Sequence, residues 1–552
     1  MQIVVPMSGF GERFRRAGYR VPKPLIEVEG KPIVAHVVDM FPGETEFVFV
    51  CNRDHLEEPS YRMADLLAQY CPSGRVVAIA PHKLGPVNAV LQAIDYLDPD
   101  APTLVNYCDF ACSWDYADFK RAVLESGCDG AIPCYTGFHP HMMGSTNYAY
   151  VRSERGRVLD IQEKKPYTDQ PRGEYASSGS YYFASGALMR DAFERTMARP
   201  DLELGGERYV SLAYKPLLED GRRIAVYELN HFMQWGTPQD LEEYRYWSDA
   251  FRRIADPARA LPPPAQRGAV MVPMAGLGSR FAAEGYADPK PLIEVSGEAM
   301  VVQAARDLPQ PAQRVFVQRR DIPGRERIGA ALSERFPGSA QVDLERVTDG
   351  QARTCLLGLD GIDLEQPLTI GACDNGAVFD ADALALALAD DSADVLVWTA
   401  RGYPGAARRP QHYGWVDEND GAVRAVSVKQ PLADPANDPI VLGTFTFRRA
   451  ADFVAAAQAM IARDGRVNGE FYVDTCINDA LALGLRCKTF EVSHYLCWGT
   501  PDDLRTYEYW QSCFHKWPAH PYRLERDPRV AEPARAALEQ RYRMRQPERA
   551  TW

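Results

Sequence analysis

Two stretches of the sequence combine paired glycines with a following arginine and lysine. Residues 3–24 read IVVPMSGFGERFRRAGYRVPKP and residues 270–291 read VMVPMAGLGSRFAAEGYADPKP. Glycine has no Cβ, so a turn built on it can bring backbone N–H groups close to a phosphate. The arginine and lysine add positive charge, so the stretches predict two sites for polyphosphorylated ligands. The residues concerned are Gly9, Gly11, Arg13 and Lys23 in the first stretch and Gly276, Gly278, Arg280 and Lys290 in the second.

Each glycine-rich turn follows an apolar, β-branched run that predicts a buried strand. In the first half of the chain, apolar runs at 2–5, 46–51, 76–80 and 103–107 alternate with helical patterns. Such alternation predicts βαβ units and a mainly parallel sheet flanked by helices, a Rossmann-like α/β fold. Ligands of these sheets lie beyond the carboxyl ends of the strands, which is where the turns emerge.

Matching residues recur at a nearly constant distance along the chain. The offset is 267 from Arg13 to Arg280 and 263 from Trp235 to Trp498, which indicates one fold duplicated in tandem. We therefore predict a first copy at 1–254, a Pro-rich linker at 255–267, a second copy at 268–515 and a charged C-terminal tail at 516–552. Within the tail we expect a short helix around 533–543. A solvated tail is the favoured interpretation and a packing arm for a partner subunit the alternative, which leaves a homo-oligomer open.

Composition limits the classes of partner. The net charge of -13 over 552 residues argues against nucleic acid or an anionic membrane as the main partner. The twelve cysteines include no C-x-x-C pair, which favours buried, reduced thiols. The sequence begins directly in a predicted strand and has no stretch of about 20 apolar residues, so we expect a cytoplasmic protein.

An aspartate ends an apolar run in both copies. The two segments read LVNYCDF, with Asp109, and LTIGACDN, with Asp374. A carboxylate at the carboxyl end of a strand, facing the glycine turn, is a suitable ligand for a magnesium ion shared with phosphate oxygens. Asp109 and Asp374 are therefore the predicted metal ligands and, with the arginines and lysines above, the predicted catalytic residues.

The glycine turn and the Lys-Pro segment resemble those of the sugar-1-phosphate nucleotidyltransferases, whose signature is G-x-G-[ST]-R-[LF] followed by P-K-P-[LM]. The resemblance covers nearly all of residues 1–510 as two copies. It implies two tandem GT-A-like nucleotidyltransferase domains that use Mg²⁺. The implied reaction joins a nucleoside triphosphate to a sugar 1-phosphate, or a similar phosphomonoester, and releases pyrophosphate. The implied role is nucleotide-sugar supply for surface polysaccharide synthesis.

The same resemblance implies further site residues. It places Gly85 and Gly350 against the nucleotide base. For the sugar phosphate, the E-K-P motif of the family matches Glu163 and Lys164 in copy one and Lys429 in copy two. Gly179 and Gly443 fall in the sugar-pocket strand, and Glu207 and Glu470 supply a sugar-hydroxyl or metal contact or else the acidic first turn of a helix.

The sequence departs from the family pattern at several positions. Gln234 and Cys497 stand where the closing D-x-G-T-P segment has a metal-binding aspartate, and neither is a good ligand for a hard cation. Copy one has Glu12 in the glycine turn, and copy two has Val428 in place of the E-K-P glutamate. Asp474 is another carboxylate that could contact metal or sugar.

Two other functions stay open. A GT-A glycosyltransferase would need a D-x-D metal motif, and Asp380-Ala381-Asp382 lies later, where we interpret it as a helix cap. A regulatory module that binds a nucleotide sugar without turnover would explain the missing second aspartate in both copies.

Overall fold

The structure, a computed structural model, describes residues 1–229, 231–258 and 262–541. The chain divides into two compact units, called unit 1 (Met1–Arg245) and unit 2 (Tyr246–Tyr542). This division lies inside the helix Pro238–Ile254. The last residue of that helix is also the predicted end of the first copy. The other predicted domain limits remain predictions.

Unit 1 contains fourteen strands and eight complete helices in its described part. Its strands are β1 Gln2–Met7, β2 Glu27–Val28, β3 Lys31–Pro32, β4 Phe47–Asn52, β5 Arg75–Ile79, β6 Thr103–Asn106, β7 Phe110–Ser113, β8 Gly130–Tyr135, β9 Ala149–Glu154, β10 Arg157–Glu163, β11 Tyr175–Ser177, β12 Ser180–Phe183, β13 Ile224–Glu228 and β14 His231–Gln234. Its helices are α1 Glu12–Arg16, α2 Ile33–Asp39, α3 Arg53–Glu57, α4 Met63–Tyr70, α5 Pro86–Leu91, α6 Tyr116–Ser126, α7 Gly186–Met197 and α8 Tyr214–Glu219, and α9 Pro238–Ile254 follows.

Ten strands of unit 1 form one mixed sheet in the order β11-β9-β10-β13-β8-β12-β6-β1-β4-β5. Strand β1 lies parallel to both neighbours, with Ile3 opposite Phe47 on one side and Leu104 on the other. The carboxyl ends of β4, β1 and β6 therefore meet at one edge of the sheet, where the glycine turn leaves β1. The strands predicted at 2–5, 46–51, 76–80 and 103–107 correspond to β1, β4, β5 and β6.

Unit 2 has its own strands and helices. Its strands are β15 Ala265–Pro273, β16 Glu294–Val295, β17 Glu298–Ala299, β18 Gln310–Arg319, β19 Ala340–Leu344, β20 Leu368–Ile370, β21 Asn375–Val378, β22 Val395–Ala400, β23 Gly414–Asn419, β24 Ala422–Val428, β25 Ile440–Phe447, β26 Cys487–Glu491 and β27 His494–Cys497. Its helices are α10 Ser279–Ala283, α11 Met300–Arg306, α12 Arg325–Arg335, α13 Gln351–Leu357, α14 Ala381–Ala389, α15 Pro404–Arg408, α16 Ala450–Ala462, α17 Val473–Ala482, α18 Pro501–Lys516 and α19 Glu532–Arg541.

The large sheet of unit 2 repeats the strand order of unit 1. Its order is β19-β18-β15-β20-β25-β22-β26-β24-β23. This is the order of unit 1 read from the other edge, except that unit 2 has no separate strand corresponding to β11. Strand β15 again lies parallel between two neighbours, with Val270 opposite Arg314 and Thr369. The predicted fold class, tandem α/β units with helix-flanked sheets, is confirmed.

Apolar strands explain why these sheets are buried on both faces. Ile3, Val4 and Val5 of β1 are fully buried, as are Val270 and Met271 of β15. Successive side chains of a strand point to opposite faces, so an unbroken apolar run needs cover on both sides. Helices supply that cover, and the polar residues that follow each strand remain at the sheet edge.

The segment after residue 515 differs from the expected solvated tail. Helix α19 spans Glu532–Arg541, close to the predicted helix. Tyr522, Leu524 and Leu538 are fully buried in unit 2. The prediction of a solvated tail is therefore wrong for the part of the tail up to residue 541. These scattered apolar residues were outweighed in the sequence by many charged ones. The loose end expected beyond residue 541 lies outside the described residues.

Two expectations from composition can be compared with the structure. All twelve cysteines are free thiols, and each is buried except the partly exposed Cys373, which confirms that expectation. Among the described residues, none of the helices has the length and apolar character needed to span a membrane.

Candidate active site

The glycine turns after β1 and β15 are open on their outer side. Gly11 and Gly278 adopt left-handed φ values of 61° and 64° where α1 and α10 begin. Side chains rarely adopt that conformation, whereas glycine does so without strain. A Cβ at Gly9 or Gly276 would meet nothing within 4 Å. The turns therefore leave room for a ligand to approach the backbone.

A lysine and an aspartate meet beside each turn. Lys23 Nζ lies 2.8 Å from Asp109 Oδ2, and Lys290 Nζ lies 2.5 Å from Asp374 Oδ2. Burial alone would lower the pKa of each lysine, but the neighbouring aspartate outweighs burial and holds the pKa above its ordinary value. The structure thus brings both predicted catalytic pairs together, with both lysines charged at neutral pH.

The predicted arginines lie on the short helices that follow the turns. Arg13 on α1 and Arg280 on α10 are both exposed. The charge of Arg13 acts on Lys23, and it also opposes the rise in the pKa of Tyr209. Arg280 acts in the same way on the corresponding tyrosine of unit 2, Tyr472. Arg13 is therefore within electrostatic reach of both Lys23 and Tyr209, and Arg280 is within electrostatic reach of Tyr472.

The glutamate in the first glycine turn has a cationic partner. Glu12 accepts a hydrogen bond of 2.7 Å from Lys83 Nζ, and this bond holds the pKa of the carboxyl below its ordinary value. Both side chains are exposed, so the pair contributes little to stability. It does offset the negative charge that the sequence placed beside the predicted phosphate site.

The second polar cluster of unit 1 is a lysine–tyrosine–glutamate chain. Lys164 Nζ donates to the hydroxyl of Tyr209 at 2.6 Å, and that hydroxyl donates to Glu207. The lysine Nζ also lies 4.4 Å from the centre of the tyrosine ring. Burial, followed by the bond to Glu207, raises the pKa of Tyr209 above its ordinary value. The tyrosine therefore stays protonated and holds the ammonium in place.

Unit 2 contains the same chain. Lys429 Nζ donates to the hydroxyl of Tyr472 at 2.9 Å, and that hydroxyl donates to Glu470 at 2.5 Å. Burial and the bond to Glu470 again raise the pKa of the tyrosine. Sequence reasoning selected the lysines and glutamates but missed both tyrosines, although each recurs two residues after the glutamate in GGERYV and NGEFYV.

Both lysines of these chains have an uncommon backbone conformation. Lys164 has a φ of 57° and Lys429 a φ of 59°. Their N–H groups donate to the carbonyl oxygens of Tyr148 at 2.9 Å and Tyr413 at 3.0 Å. A left-handed φ is uncommon for residues other than glycine, and such residues concentrate at functional sites. The conformation ends β10 and β24 and turns each lysine toward its tyrosine.

The predicted base-contact glycines touch the segments that carry these glutamates and tyrosines. A Cβ at Gly85 would lie 2.6 Å from the backbone N and O of Arg208. At Gly350 it would lie 2.3 Å from the backbone N of Phe471. Only glycine fits at such a distance from backbone. The structure therefore gives both glycines a positioning role, and contact with a base stays a prediction.

One partly buried carboxylate lies beside the lysine in unit 1. Glu163 is the last residue of β10 and lies opposite Ala149 of β9. Its Oε2 accepts a hydrogen bond of 2.6 Å from Ser211 Oγ. Burial raises the pKa of this carboxyl above its ordinary value. A desolvated carboxylate next to a charged lysine is a common feature of functional sites.

Unit 2 carries its partly buried carboxylate on a different element. Val428 ends β24 and lies opposite Gly414, so valine and glycine replace the glutamate and alanine of unit 1. Asp474, in the first turn of α17, replaces the serine. A Cβ on Gly414 would come within 2.6 Å of Asp474 Oδ2, so the carboxylate occupies the space above this glycine. Three linked substitutions thus keep one carboxylate beside the lysine.

The predicted sugar-pocket glycines have different surroundings. Gly179 has a φ of 99°, and a Cβ there would lie 3.1 Å from the rings of Phe110 and Tyr107. Gly443 has a φ of 78°, and its nearest neighbour would be the Cβ of Ala372 at 3.5 Å. Both positions need glycine for backbone reasons. A contact with a hexose at either one stays a prediction.

The residues near the aspartates suit only a limited form of metal binding. No group of three or more His, Cys, Asp or Glu side chains with the geometry to hold a metal ion occurs among the described residues. Mg²⁺ often uses one or two carboxylates together with waters and substrate phosphates. Asp109 and Asp374 fit that role as single carboxylates. Trp235 and Trp498 are fully buried, so they belong to the core.

A comparison with protein families finds a match in the first part of the chain. Residues 3–166 match the model of the MobA-like NTP transferase domain. The matched segment contains the predicted residues of unit 1 from Gly9 to Lys164, whereas Gly179 and Glu207 lie beyond its end.

Proteins similar to part of this chain include bifunctional GlmU proteins. The GlmU protein of Paraburkholderia phymatum is 33% identical over 172 residues, which cover 30% of this chain and 34% of that protein. That of Ralstonia pickettii is 31% identical over 170 residues, covering 30% and 33%. The chain thus spans about a third of the length of these curated relatives.

A solved structure also resembles part of the chain. The nucleoside-diphosphate-sugar pyrophosphorylase from Vibrio cholerae RC9 is 21% identical, with a TM-score of 0.37. The match covers 44% of this chain and 98% of that chain.

The D-x-D sequence near residue 380 is part of a helix cap. The side chain of Asp380 accepts hydrogen bonds from the N–H groups of Asp382 and Ala383 at 2.9 and 3.0 Å. It therefore caps α14 as interpreted from the sequence. This leaves the glycosyltransferase alternative without its metal motif at this position.

Proposed function

We propose that the chain is a nucleotidyltransferase that joins a nucleoside triphosphate and a sugar 1-phosphate, or a similar phosphomonoester. One observation carries the proposal. Each unit places a charged lysine–aspartate pair at a glycine turn, and each has a lysine–tyrosine–glutamate chain within electrostatic reach of the arginine that follows the turn. Two anionic reactants need such paired cationic sites.

The charges of the reactants explain the arrangement. Two unit charges 4 Å apart repel by about 4 kcal/mol at an effective dielectric constant of 20. Arg13 and Lys23 would hold the triphosphate over the turn in unit 1, and Lys164 would hold the phosphate of the acceptor. Fixing both reactants in line removes about 7–11 kcal/mol of the barrier. No side-chain nucleophile is required, because the acceptor phosphate is already ionised at neutral pH.

The reaction balances without a further reactant. An oxygen of the acceptor phosphate forms a bond to the α-phosphorus, and the bond from that phosphorus to the bridging β-phosphate oxygen breaks. The electron pair leaves with pyrophosphate. The lysine ammonium beside Asp109 or Asp374 would offset charge on the transferring phosphoryl group. When bound at these aspartates, Mg²⁺ would supply further charge neutralisation for phosphate oxygens.

The partly buried carboxylate beside each acceptor lysine would accept a hydrogen bond from a hydroxyl of the acceptor. Glu163 has this role in unit 1, and Asp474 takes it in unit 2, where the glutamate is absent. The transposed carboxylate supports the proposal that both units keep an acceptor pocket. Supply of nucleotide sugar for surface polysaccharide synthesis is part of the same proposal.

The test is pyrophosphate release over a grid of nucleoside triphosphates and sugar 1-phosphates with magnesium. Lys23→Ala and Lys290→Ala are each expected to remove the activity of one unit, and the double variant should lose at least about 100-fold, since preorganised charge stabilisation contributes on this scale. Lys165→Ala, at an exposed neighbour of the acceptor lysine, is the control. Full activity in the double variant would overturn the proposed phosphate sites.

The products separate the remaining functions. Free nucleoside diphosphate instead of pyrophosphate would identify a glycosyltransferase. Ligand binding without any turnover across the grid would identify a regulatory binding module.

A further inference from the structure

Unit 2 contains a cavity of about 620 Å³ far from its glycine turn. It lies at the amino-terminal ends of β15 and β18, whereas the turn follows the carboxyl end of β15. That strand has nine residues, so about 30 Å of chain separates the two places. We call it the arginine cavity because four arginines line it: Arg253, Arg306, Arg314 and Arg529.

Positive charge predominates among the described residues that line the cavity. Asp307 is the one carboxylate among them. It is already engaged, since its oxygens lie 3.1 and 3.2 Å from Arg529 Nη2 and one of them accepts from the N–H of Ala377 at 3.0 Å. Arg253 is paired with Asp249 outside the lining, at 2.6 Å. The guanidinium groups of Arg306 and Arg314 are the other two that line the cavity.

Arg306 and Arg314 form no ion pair in the part of the chain that the structure describes. Arg306 donates to the carbonyl of Pro528 at 2.7 Å and to the side chain of Gln303 at 3.2 Å. Arg314 donates to the carbonyl of Ala305 at 2.8 Å. Neutral oxygens orient these groups without cancelling their charge.

The surroundings of both groups disfavour uncompensated charge. Burial, with a contribution from the charge of Arg529, lowers the pKa of Arg306. Burial lowers the pKa of Arg314 to about 10. Arg529 adds a buried Nε with no hydrogen-bond partner among the described residues. Arg306 and Arg314 are partly buried and Arg529 is buried. Desolvated cations with spare donors are stabilised by an anion that accepts from them.

We propose that the arginine cavity binds a small molecule carrying a phosphate dianion, as free phosphate or as a phosphate ester. Its volume is within the range of about 300–1,000 Å³ typical of small-molecule sites. Guanidinium groups match phosphate oxygens in pairs. Leu308 and Phe336 provide an apolar wall for the organic part of an ester. The site goes beyond nucleotidyl transfer and requires no part of the catalytic arrangement.

Calorimetric titration of the full chain with inorganic phosphate and with glucose 6-phosphate tests the proposal. The Arg306→Gln/Arg314→Gln variant should weaken binding at least about tenfold, because each charge-assisted hydrogen bond contributes on that scale. Arg424→Gln, at an exposed arginine of β24, should bind as the wild type does. Tighter binding of glucose 6-phosphate would identify an ester, and equal binding would identify the phosphate group alone.

Two further variants separate this site from the active site and from a folding defect. Lys23→Ala/Lys290→Ala should retain the binding that the arginine variant loses. Arg306→Lys/Arg314→Lys keeps the charge and should recover part of the affinity, with melting temperatures compared throughout. The proposal is overturned if the wild type binds neither probe, or if the lysine variant rather than the arginine variant loses binding. Pyrophosphate release is measured in parallel. Failure of the proposed nucleotidyl transfer can then be distinguished from failure of phosphate binding in the arginine cavity.

Discussion

The carboxylate of Asp474 lies against the bare Cα of Gly414, where a Cβ would come within 2.6 Å of Oδ2. Unit 1 has Ala149 at the matching register position and Ser211 at the matching helix position. The two residues of unit 2 therefore depend on each other. A larger residue at 414 excludes the carboxylate, and a serine at 474 leaves space beside the glycine.

Gly414→Ala should destabilise unit 2 by about 1–3 kcal/mol, because overpacking a filled site displaces its neighbours. Urea unfolding measures the loss. Gly173→Ala is the matched control, since a Cβ there would meet nothing within 4 Å. The double variant Gly414→Ala/Asp474→Ser recreates the pair found in unit 1 and should regain most of the stability. If it stays as unstable as the single variant, the interdependence is wrong.

The ionisation of Asp474 should appear in the pH dependence of stability. Burial raises its pKa to about 6, against about 3.9 in an unfolded chain. Between these values the native state binds more protons than the unfolded state, so this group makes the free energy of unfolding fall as pH rises from about 4 to about 6. Asp474→Asn removes that decline. Its stability relative to the wild type should increase by about 1–2 kcal/mol between pH 4 and pH 7.

Urea unfolding at the two pH values measures this difference. Asp382→Asn, at an exposed aspartate on α14, is the control. It should change the free energy of unfolding by the same amount at both pH values. Parallel behaviour of Asp474→Asn and the wild type would show that the carboxyl is not perturbed as proposed.

The fold was predictable because its signal is repeated and local. Apolar runs separated by helical patterns identified β1, β4, β5 and β6, and the constant offset predicted two units. The lysine–aspartate pairs were also predictable from the sequence. Lys23 and Asp109 follow strands whose carboxyl ends meet at one edge, so parallel pairing alone brings them together.

The rest of the site depends on contacts between segments far apart in sequence. Tyr209 lies 45 residues from Lys164, with which it forms a hydrogen bond. The local sequence pattern of neither segment predicts this contact. The replacement of the Glu163 carboxylate by that of Asp474 in unit 2 was not predictable for another reason. Val428 looked like the loss of a functional residue until the register placed it opposite Gly414. In the tail, a few apolar residues among many charged ones gave too weak a signal for burial.

Lys164→Ala should impair use of the acceptor more than use of the nucleotide. Loss of a charge-assisted hydrogen bond costs about 1.5–3 kcal/mol, which corresponds to a rise of about 10–100-fold in the KM for the sugar 1-phosphate. The KM for the nucleoside triphosphate should stay within about twofold. Steady-state pyrophosphate release with each substrate varied in turn measures both, in a Lys290→Ala background that silences unit 2.

Two companion variants sharpen that experiment. Lys165→Ala removes an exposed neighbouring charge and should leave both constants unchanged. Tyr209→Phe keeps the ring and removes the hydroxyl that holds the ammonium at 2.6 Å, so it should produce a smaller rise in the same constant. An equal rise in both constants for Lys164→Ala would place the lysine at the triphosphate instead.

Gly85→Ala should be far more damaging than Gly137→Ala, although the two glycines have φ values of 90° and 85°. Both substitutions incur the cost of about 1–2 kcal/mol for a left-handed side chain. Only the Cβ at position 85 also meets backbone, at 2.6 Å from the N and O of Arg208, while that at 137 meets nothing within 4 Å. Overpacking should add about 1–3 kcal/mol in urea unfolding. Because Arg208 lies between Glu207 and Tyr209, the variant should also raise the KM for the acceptor, and a stability loss equal to that of the control would remove the positioning role of this glycine.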